Sequence, residues 1–229
     1  MMRICMAGDS TMADYPDDQA PMAGWGQMLP LFLQGEVTVV NAARCGRSSR
    51  SFIAEGWLDP LLGQLAPGDV LIVGFAHNDQ KQDERFTEPQ TTYRVYLTRY
   101  VEGAKQRGAY PVLVTPVQRR HFNQEGQLQQ THGDYPGAIR ELAAEMAVPV
   151  IDLLPLTERL YREMGPENSK ELFVWLKPGE HPNYPEGLED NTHFNEYGAR
   201  CIAGLAAKEM VKLGPPLADY IHQAALVRE

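Results

Sequence analysis

Residues 69–75 contain Val70-Leu71-Ile72-Val73, four consecutive apolar residues with no polar neighbour to alternate against. A strand of this kind must be covered on both faces, which is the situation of an inner strand in a parallel sheet flanked by helices. Residues 3–7, 37–41, 111–115 and 148–153 are further short runs rich in apolar and β-branched side chains. Between them, residues 25–33, 60–65, 89–106, 135–147, 154–164 and 195–213 have helical spacing, and Gly214-Pro215-Pro216 stops the last. Strands and helices alternating in this way predict a three-layer α/β/α domain, flavodoxin-like, with a central parallel sheet of about five strands. Residues 118–134 and 165–190 show no period and are expected as loops, whose length suggests a functional role. The domain is placed at residues 1–214 and a C-terminal tail at 215–229. Within the tail, residues 217–227 read as a helix that covers the domain or meets a second copy in a homodimer.

The formal net charge of −9 excludes nucleic acid as a partner, because binding phosphates requires a basic surface. No run approaches the ~18 apolar residues of a membrane span, and Met1-Met2-Arg3-Ile4 enters a strand without a signal-peptide pattern. A cytoplasmic protein without membrane attachment is expected. The cysteines Cys5, Cys45 and Cys201 show no metal or redox spacing, and the six histidines show no H-E-x-x-H pattern. No metal or organic cofactor is expected.

Four loops at predicted strand ends carry residues able to do chemistry. Gly8-Asp9-Ser10-Thr11 follows the first strand and offers a hydroxyl that needs a base to become a nucleophile. Asp190-Asn191-Thr192-His193 precedes the last helix, where a carboxylate three residues before an imidazole can fix its tautomer. Asp190 or Asn195 could equally cap that helix. After the second strand, Gly46 could present a bare backbone N–H, and after the third, Asn78 could donate a side-chain hydrogen bond. With the Ser10 N–H these make three donors for an oxyanion.

Ser, Gly, Asn and Asp-x-x-His in this order resemble the four blocks of the SGNH (GDSL-like) hydrolase superfamily, most nearly its rhamnogalacturonan acetylesterase-like carbohydrate esterases. The resemblance rests on Gly8-Asp9-Ser10-Thr11-Met12, Gly24-Trp25-Gly26, Gly46-Arg47-Ser48-Ser49-Arg50-Ser51 and His77-Asn78-Asp79. It continues in Thr131-His132-Gly133-Asp134-Tyr135-Pro136 and in Thr192-His193-Phe194-Asn195-Glu196-Tyr197-Gly198-Ala199. It implies a serine esterase with the triad Ser10, Asp190 and His193 and an oxyanion hole of Ser10, Gly46 and Asn78. Asp9 is expected to shape the turn. His77 is expected to support its loop, with substrate contact as the other reading.

The resemblance also implies an acetylated, pectic oligosaccharide as the partner. Arg44, Arg47, Arg50, Arg119 and Arg120 could meet its carboxylates, or could pair within the protein. Trp25, Trp57 and Trp175 could stack on sugar rings or pack inside. His132 and His181 could contact substrate from the long loops, whereas His121 and His222 carry no signal. The alternatives are a lysophospholipase, thioesterase or arylesterase of the same fold, and a non-catalytic carbohydrate-binding relative.

Overall fold

The computed structural model describes residues 2–226. The central sheet contains β1 (Met2–Gly8), β2 (Val37–Asn41), β3 (Val70–Gly74), β4 (Tyr110–Val114) and β5 (Val150–Ile151), all parallel, in the order β2-β1-β3-β4-β5. Alternate side chains of these strands feed two separate cores. Ile4, Met6, Val70, Ile72, Val112 and Val114 face one side, and Cys5, Ala7, Leu71, Val73 and Leu113 face the other. The continuous apolar runs follow from this double burial. Helices α1 (Trp25–Met28), α2 (Ser49–Ala54), α3 (Leu58–Gly63), α4 (Arg94–Lys105), α5 (Tyr135–Met146), α6 (Leu153–Asn168) and α7 (Glu196–Leu213) complete the layers. Residues of α1, α6 and α7 join the first core, and those of α2 to α5 the second. The three-layer, flavodoxin-like expectation is borne out, and the strand order opens a crevice at the carboxyl ends of β1 and β3.

Several local expectations are corrected. Residues 25–33 form one α-turn and then a 3₁₀ turn over Leu29–Phe32, because Pro30 lacks the N–H that α-helix continuation requires. Helix α2 is read from no period; it is started by Ser48 and Ser51, whose side chains each accept the other's backbone N–H at 3.1 and 2.9 Å. The strand expected over 148–153 shrinks to β5, and α6 begins at Leu153, running to Asn168 with a kink at Gly165 (φ 75°). Residues 165–190 are not simply a loop. They supply β6 (Phe173–Leu176) and the start of β7 (Leu188–Phe194), an antiparallel ribbon apart from the main sheet.

The tail forms two short 3₁₀ turns, Leu217–Tyr220 and Gln223–Ala225, in place of the helix over 217–227. Its backbone is committed to an extended pairing instead, with His222 N–H donating to Phe32 O at 2.8 Å and Gln34 N–H to Tyr220 O at 2.9 Å. Leu217 and Ile221 are buried in the first core. Val227 and the residues after it lie outside the described residues. Among those described, no helix is long and apolar enough to cross a membrane.

The two glycines flanking Trp25 set how closely α1 approaches the segment behind Ser10. A Cβ on Gly24 would lie 2.2 Å from Ala13 O, and one on Gly26 would lie 2.4 Å from Met12 O. Gly24→Ala is therefore expected to destabilise the fold by about 2–3 kcal/mol or more through overpacking against backbone. Gly63→Ala, where an added Cβ would meet nothing within 4 Å, is expected to be neutral or mildly stabilising. Urea unfolding of the two variants checks the contrast.

Candidate active site

At the end of β1 the chain leaves the sheet in a tight turn, with Met12 N–H and Ala13 N–H both donating to Asp9 O at 3.2 and 3.1 Å. The Asp9 carboxylate closes the turn by accepting from Thr11 N–H (3.0 Å) and Thr11 Oγ1–H (2.8 Å). Ser10, held in the middle, places its Oγ 2.9 Å from His193 Nε2. On the other side of the ring, His193 Nδ1 lies 2.7 Å from Asp190 Oδ2. An imidazole carrying its proton on Nδ1 thus has its Nε2 lone pair free to take the serine proton.

Asp190 and His193 lie on β7, not in a tight turn before the last helix. They share one side of it because the ladder is irregular: from the Phe173–Phe194 pair to the Trp175–Glu189 pair, β6 advances two residues while β7 advances five. The excess bulges out, and Asp190 Oδ1 gathers it by accepting from Thr192 N–H (2.7 Å) and His193 N–H (2.8 Å). Burial alone would raise the Asp190 pKa. The His193 hydrogen bond and charge and the two backbone N–H groups outweigh it and hold the carboxyl below its ordinary value. Asn195 separately caps α7, accepting from Gly198 N–H at 2.9 Å, so the capping and orienting readings both hold, on different residues.

The opposite wall comes from the loops after β2 and β3. Gly46 takes a φ of 77° in a turn closed by Arg47 N–H to Arg44 O at 3.3 Å, a conformation glycine adopts at little cost. Asn78 Nδ2 donates to Arg47 O at 3.0 Å, tying the two loops together and leaving its second amide hydrogen for another acceptor. Behind Asn78, the buried Asp79 carboxylate accepts from Ser49 N–H, Ser49 Oγ–H and Thr87 Oγ1–H. Burial pushes its pKa up to about 7 against the pull of those donors. Among the described residues, no group of three His, Cys, Asp or Glu side chains is arranged to hold a metal ion.

The sequence model of the GDSL-like Lipase/Acylhydrolase family matches residues 6–201. The chain belongs to this family. A rhamnogalacturonan acetylesterase of Bacillus subtilis, RhgT, is 48% identical over 220 residues, 96% of this chain and 94% of its own. YesY of the same bacterium, named a probable rhamnogalacturonan acetylesterase, is 40% identical over 220 residues, 95% of this chain and 96% of its own. The crystal structure of Bacillus subtilis YxiM superposes with a TM-score of 0.80 at 29% identity, covering 94% of this chain and 57% of that one.

In this GDSL-like acylhydrolase the residues singled out from sequence divide into two groups. Ser10, Asp190 and His193 are joined by hydrogen bonds, and Gly46 and Asn78 meet through Arg47 O. Of the two readings of Trp25, packing holds and substrate contact is corrected: it is 2% exposed, because α1 is drawn into the first core. The expected substrate contact of His132 is corrected too. It is fully buried, with Nε2 bonded to Val117 O at 2.9 Å and Nδ1 to Gln80 Nε2 at 2.8 Å. His77 is buried as well, with Nδ1 3.2 Å from Asp9 Oδ2, which suits the loop-supporting reading. Burial lowers the His77 pKa against the pull of the Asp9 carboxylate, and lowers that of His132 well below the ordinary range. Asp9 gains a second role from this contact. Burial would raise its pKa, but His77 and Thr11 hold it at about 2.

The arginines also part company. Arg47 is engaged by Glu55 (2.8 Å) and Cys45 O (2.9 Å), and Arg50 reaches Phe86 O at 3.5 Å. Arg120 braces the β6–β7 ribbon through Asn191, Ser169 and Pro166 O. Arg44 lies exposed over the Trp57 ring, 4.1 Å from its centroid, and Arg119 bonds to His77 O (3.1 Å) and Thr131 O (3.0 Å).

Two supporting residues escape sequence reasoning. Tyr15 Oη–H donates to Ser10 O at 3.0 Å, steadying the Ser10 peptide, yet nothing in the sequence separates it from a core tyrosine. Asp79 stands inside a recognised motif, but its partner Ser49 lies thirty positions away. Asp79→Ala is expected to cost about 2–4 kcal/mol, since Ser49 and Thr87 would be left with buried donors and no acceptor. The measurement is urea unfolding, with Asp79→Asn expected to recover part of the loss.

Proposed function

We propose that this GDSL-like acylhydrolase is a serine esterase that removes acetyl groups from acetylated carbohydrates, in particular pectic oligosaccharides of the rhamnogalacturonan type. The observation that carries this reading is the unbroken hydrogen-bond chain from Ser10 Oγ through His193 to Asp190. The 48% identity to a rhamnogalacturonan acetylesterase over nearly the full length of both chains supports the substrate class.

In this mechanism Ser10 Oγ attacks the acetyl carbonyl carbon while His193 Nε2 takes the hydroxyl proton. Asp190 stabilises the imidazolium. The carbonyl oxygen, now negative, is met by the N–H groups of Ser10 and Gly46 and the free amide hydrogen of Asn78. The intermediate collapses as the imidazolium proton passes to the departing sugar oxygen, leaving acetyl-Ser10. Water then attacks with the same base, and acetate leaves.

Cys5, Cys45 and Cys201 form no disulfide, and we place the action on oligosaccharides in the cytoplasm, where thiols stay reduced. The test is acetate release from acetylated rhamnogalacturonan oligosaccharides, acetylated xylan fragments and p-nitrophenyl acetate, with Ser10→Ala as control. Preferential, Ser10-dependent release from the pectic fragments is expected. Turnover of the p-nitrophenyl ester alone would remove the carbohydrate assignment.

A further inference from the structure

The loops after β3 and β4 form a shallow, open hollow of about 430 Å³ beside Asn78, lined by His77, Gln80, Lys81, Arg119, His121 and Thr131. No carboxylate lines it, although the chain carries a net charge of −9. Arg119 stands half-buried in its wall, and its partners are all uncharged: His77 O, Thr131 O and, at 3.5 Å, Gln80 Oε1. Among the described residues it has no carboxylate partner, and two of its five N–H donors remain unused.

Buried Arg120 is likewise paired with uncharged groups, but these tie it inside the protein to Asn191, Ser169 and Pro166 O, whereas Arg119 lines the hollow; three other arginines are held by acids. Arg3 is matched by Asp69, Arg94 by Glu141 and Glu145, and Arg140 by Asp152. The acid whose charge reaches Arg119, Asp9, has its hydrogen bonds with Thr11 and His77. A guanidinium withdrawn from water is costly to keep charged, and burial lowers its pKa despite the opposing charge of Asp9. An anion entering the hollow would offset that cost. Exposed Lys81 and His121 stand at the same hollow, where a cation attracts an approaching anion.

Resting on the esterase reading above, we propose that this hollow is a carboxylate subsite. In it the uronate carboxylate of a sugar near the acetylated unit docks on Arg119, with Lys81 and His121 at the rim. His77 and Gln80 flank Asn78 in sequence, so a carboxylate seated here fixes the substrate against the oxyanion side of the site. Arg119, in this assignment, determines specificity without touching the reacting atoms.

The experiment compares kcat/KM for acetate release from two forms of one acetylated rhamnogalacturonan oligosaccharide, the free acid and its methyl ester. The acid-to-ester ratio cancels any general loss of activity or folded protein. The free acid is expected to be favoured about tenfold at low ionic strength, with the preference shrinking as salt is added. Arg119→Gln should bring the ratio close to one, Lys81→Gln should reduce it severalfold, and Arg119→Lys should retain part of it. Lys81 is exposed and serves if the Arg119 variants do not fold. A wild-type ratio near one, or a ratio unchanged in both glutamine variants, overturns the subsite. Absence of acetate release from both sugar forms, with p-nitrophenyl acetate still hydrolysed through Ser10, would remove the carbohydrate reading and the subsite with it.

Discussion

Ser10→Ala is expected to lower kcat for acetate release by about 10⁴- to 10⁶-fold, and adding His193→Ala should cost almost nothing more. The reason is the geometry: a single hydrogen bond of 2.9 Å joins Oγ to Nε2, and each partner has value to the reaction only through the other. Removing either leaves the oxyanion donors and the cleft, which alone sustain a modest residual rate. His193→Ala alone should therefore match Ser10→Ala. Asp190→Asn should fall less far, since the amide keeps the shape of the bulge but loses the charge that supports the imidazolium. Single-turnover acetate release by the purified variants measures all four. An undiminished rate in Ser10→Ala would remove the proposed mechanism.

Asn78→Ala should lower kcat by about 10²–10³-fold with little change in KM, the signature of a donor used only when charge develops on the carbonyl oxygen. Asn78 also donates to Arg47 O, so its loss unties the loop carrying Gly46. The two roles separate by comparing variants. Asn78→Asp keeps the size but aims a carboxylate at the oxyanion, and should be at least as damaging to kcat as alanine. Should kcat fall only in proportion to lost thermal stability, the donor role is wrong and Asn78 merely braces the loop.

The order of the fold was legible because burial on both faces imposes an unmistakable pattern on short strands such as Val70–Gly74. What escaped was structure that depends on distant partners. The β6–β7 ribbon has neither strict alternation nor a hairpin signal, since its long connection and its bulge are fixed by pairing across the chain. Ser10, Gly46, Asn78, Asp190 and His193 were legible because each sits in a short motif beside a strand end. Trp25 and His132 were misjudged because burial is a tertiary fact. Nothing local reveals that Val117 O and Gln80 wait for the two nitrogens of His132. The arginines show the same limit: Arg47 and Arg119 look alike in sequence, and they are separated by Glu55 bonded to one and, among the described residues, no carboxylate bonded to the other.

The site is divided between two supports. Ser10, Gly46 and Asn78 rise from three neighbouring strands of the five-stranded sheet, whereas Asp190 and His193 hang on a ribbon of two strands outside it. Two-stranded units are marginal by themselves and rely on what they are packed against. Phe173 and Phe194 anchor the ribbon in the first core; were that docking to give way, the sheet would keep its own ladder. A molecule in that state keeps its nucleophile and its pocket for the oxyanion but has no base, so it is folded, inert and restored by re-docking. For this chain turnover is therefore expected to cease at or below the temperature at which the sheet melts, and following acetate release and circular dichroism in one heating series checks it.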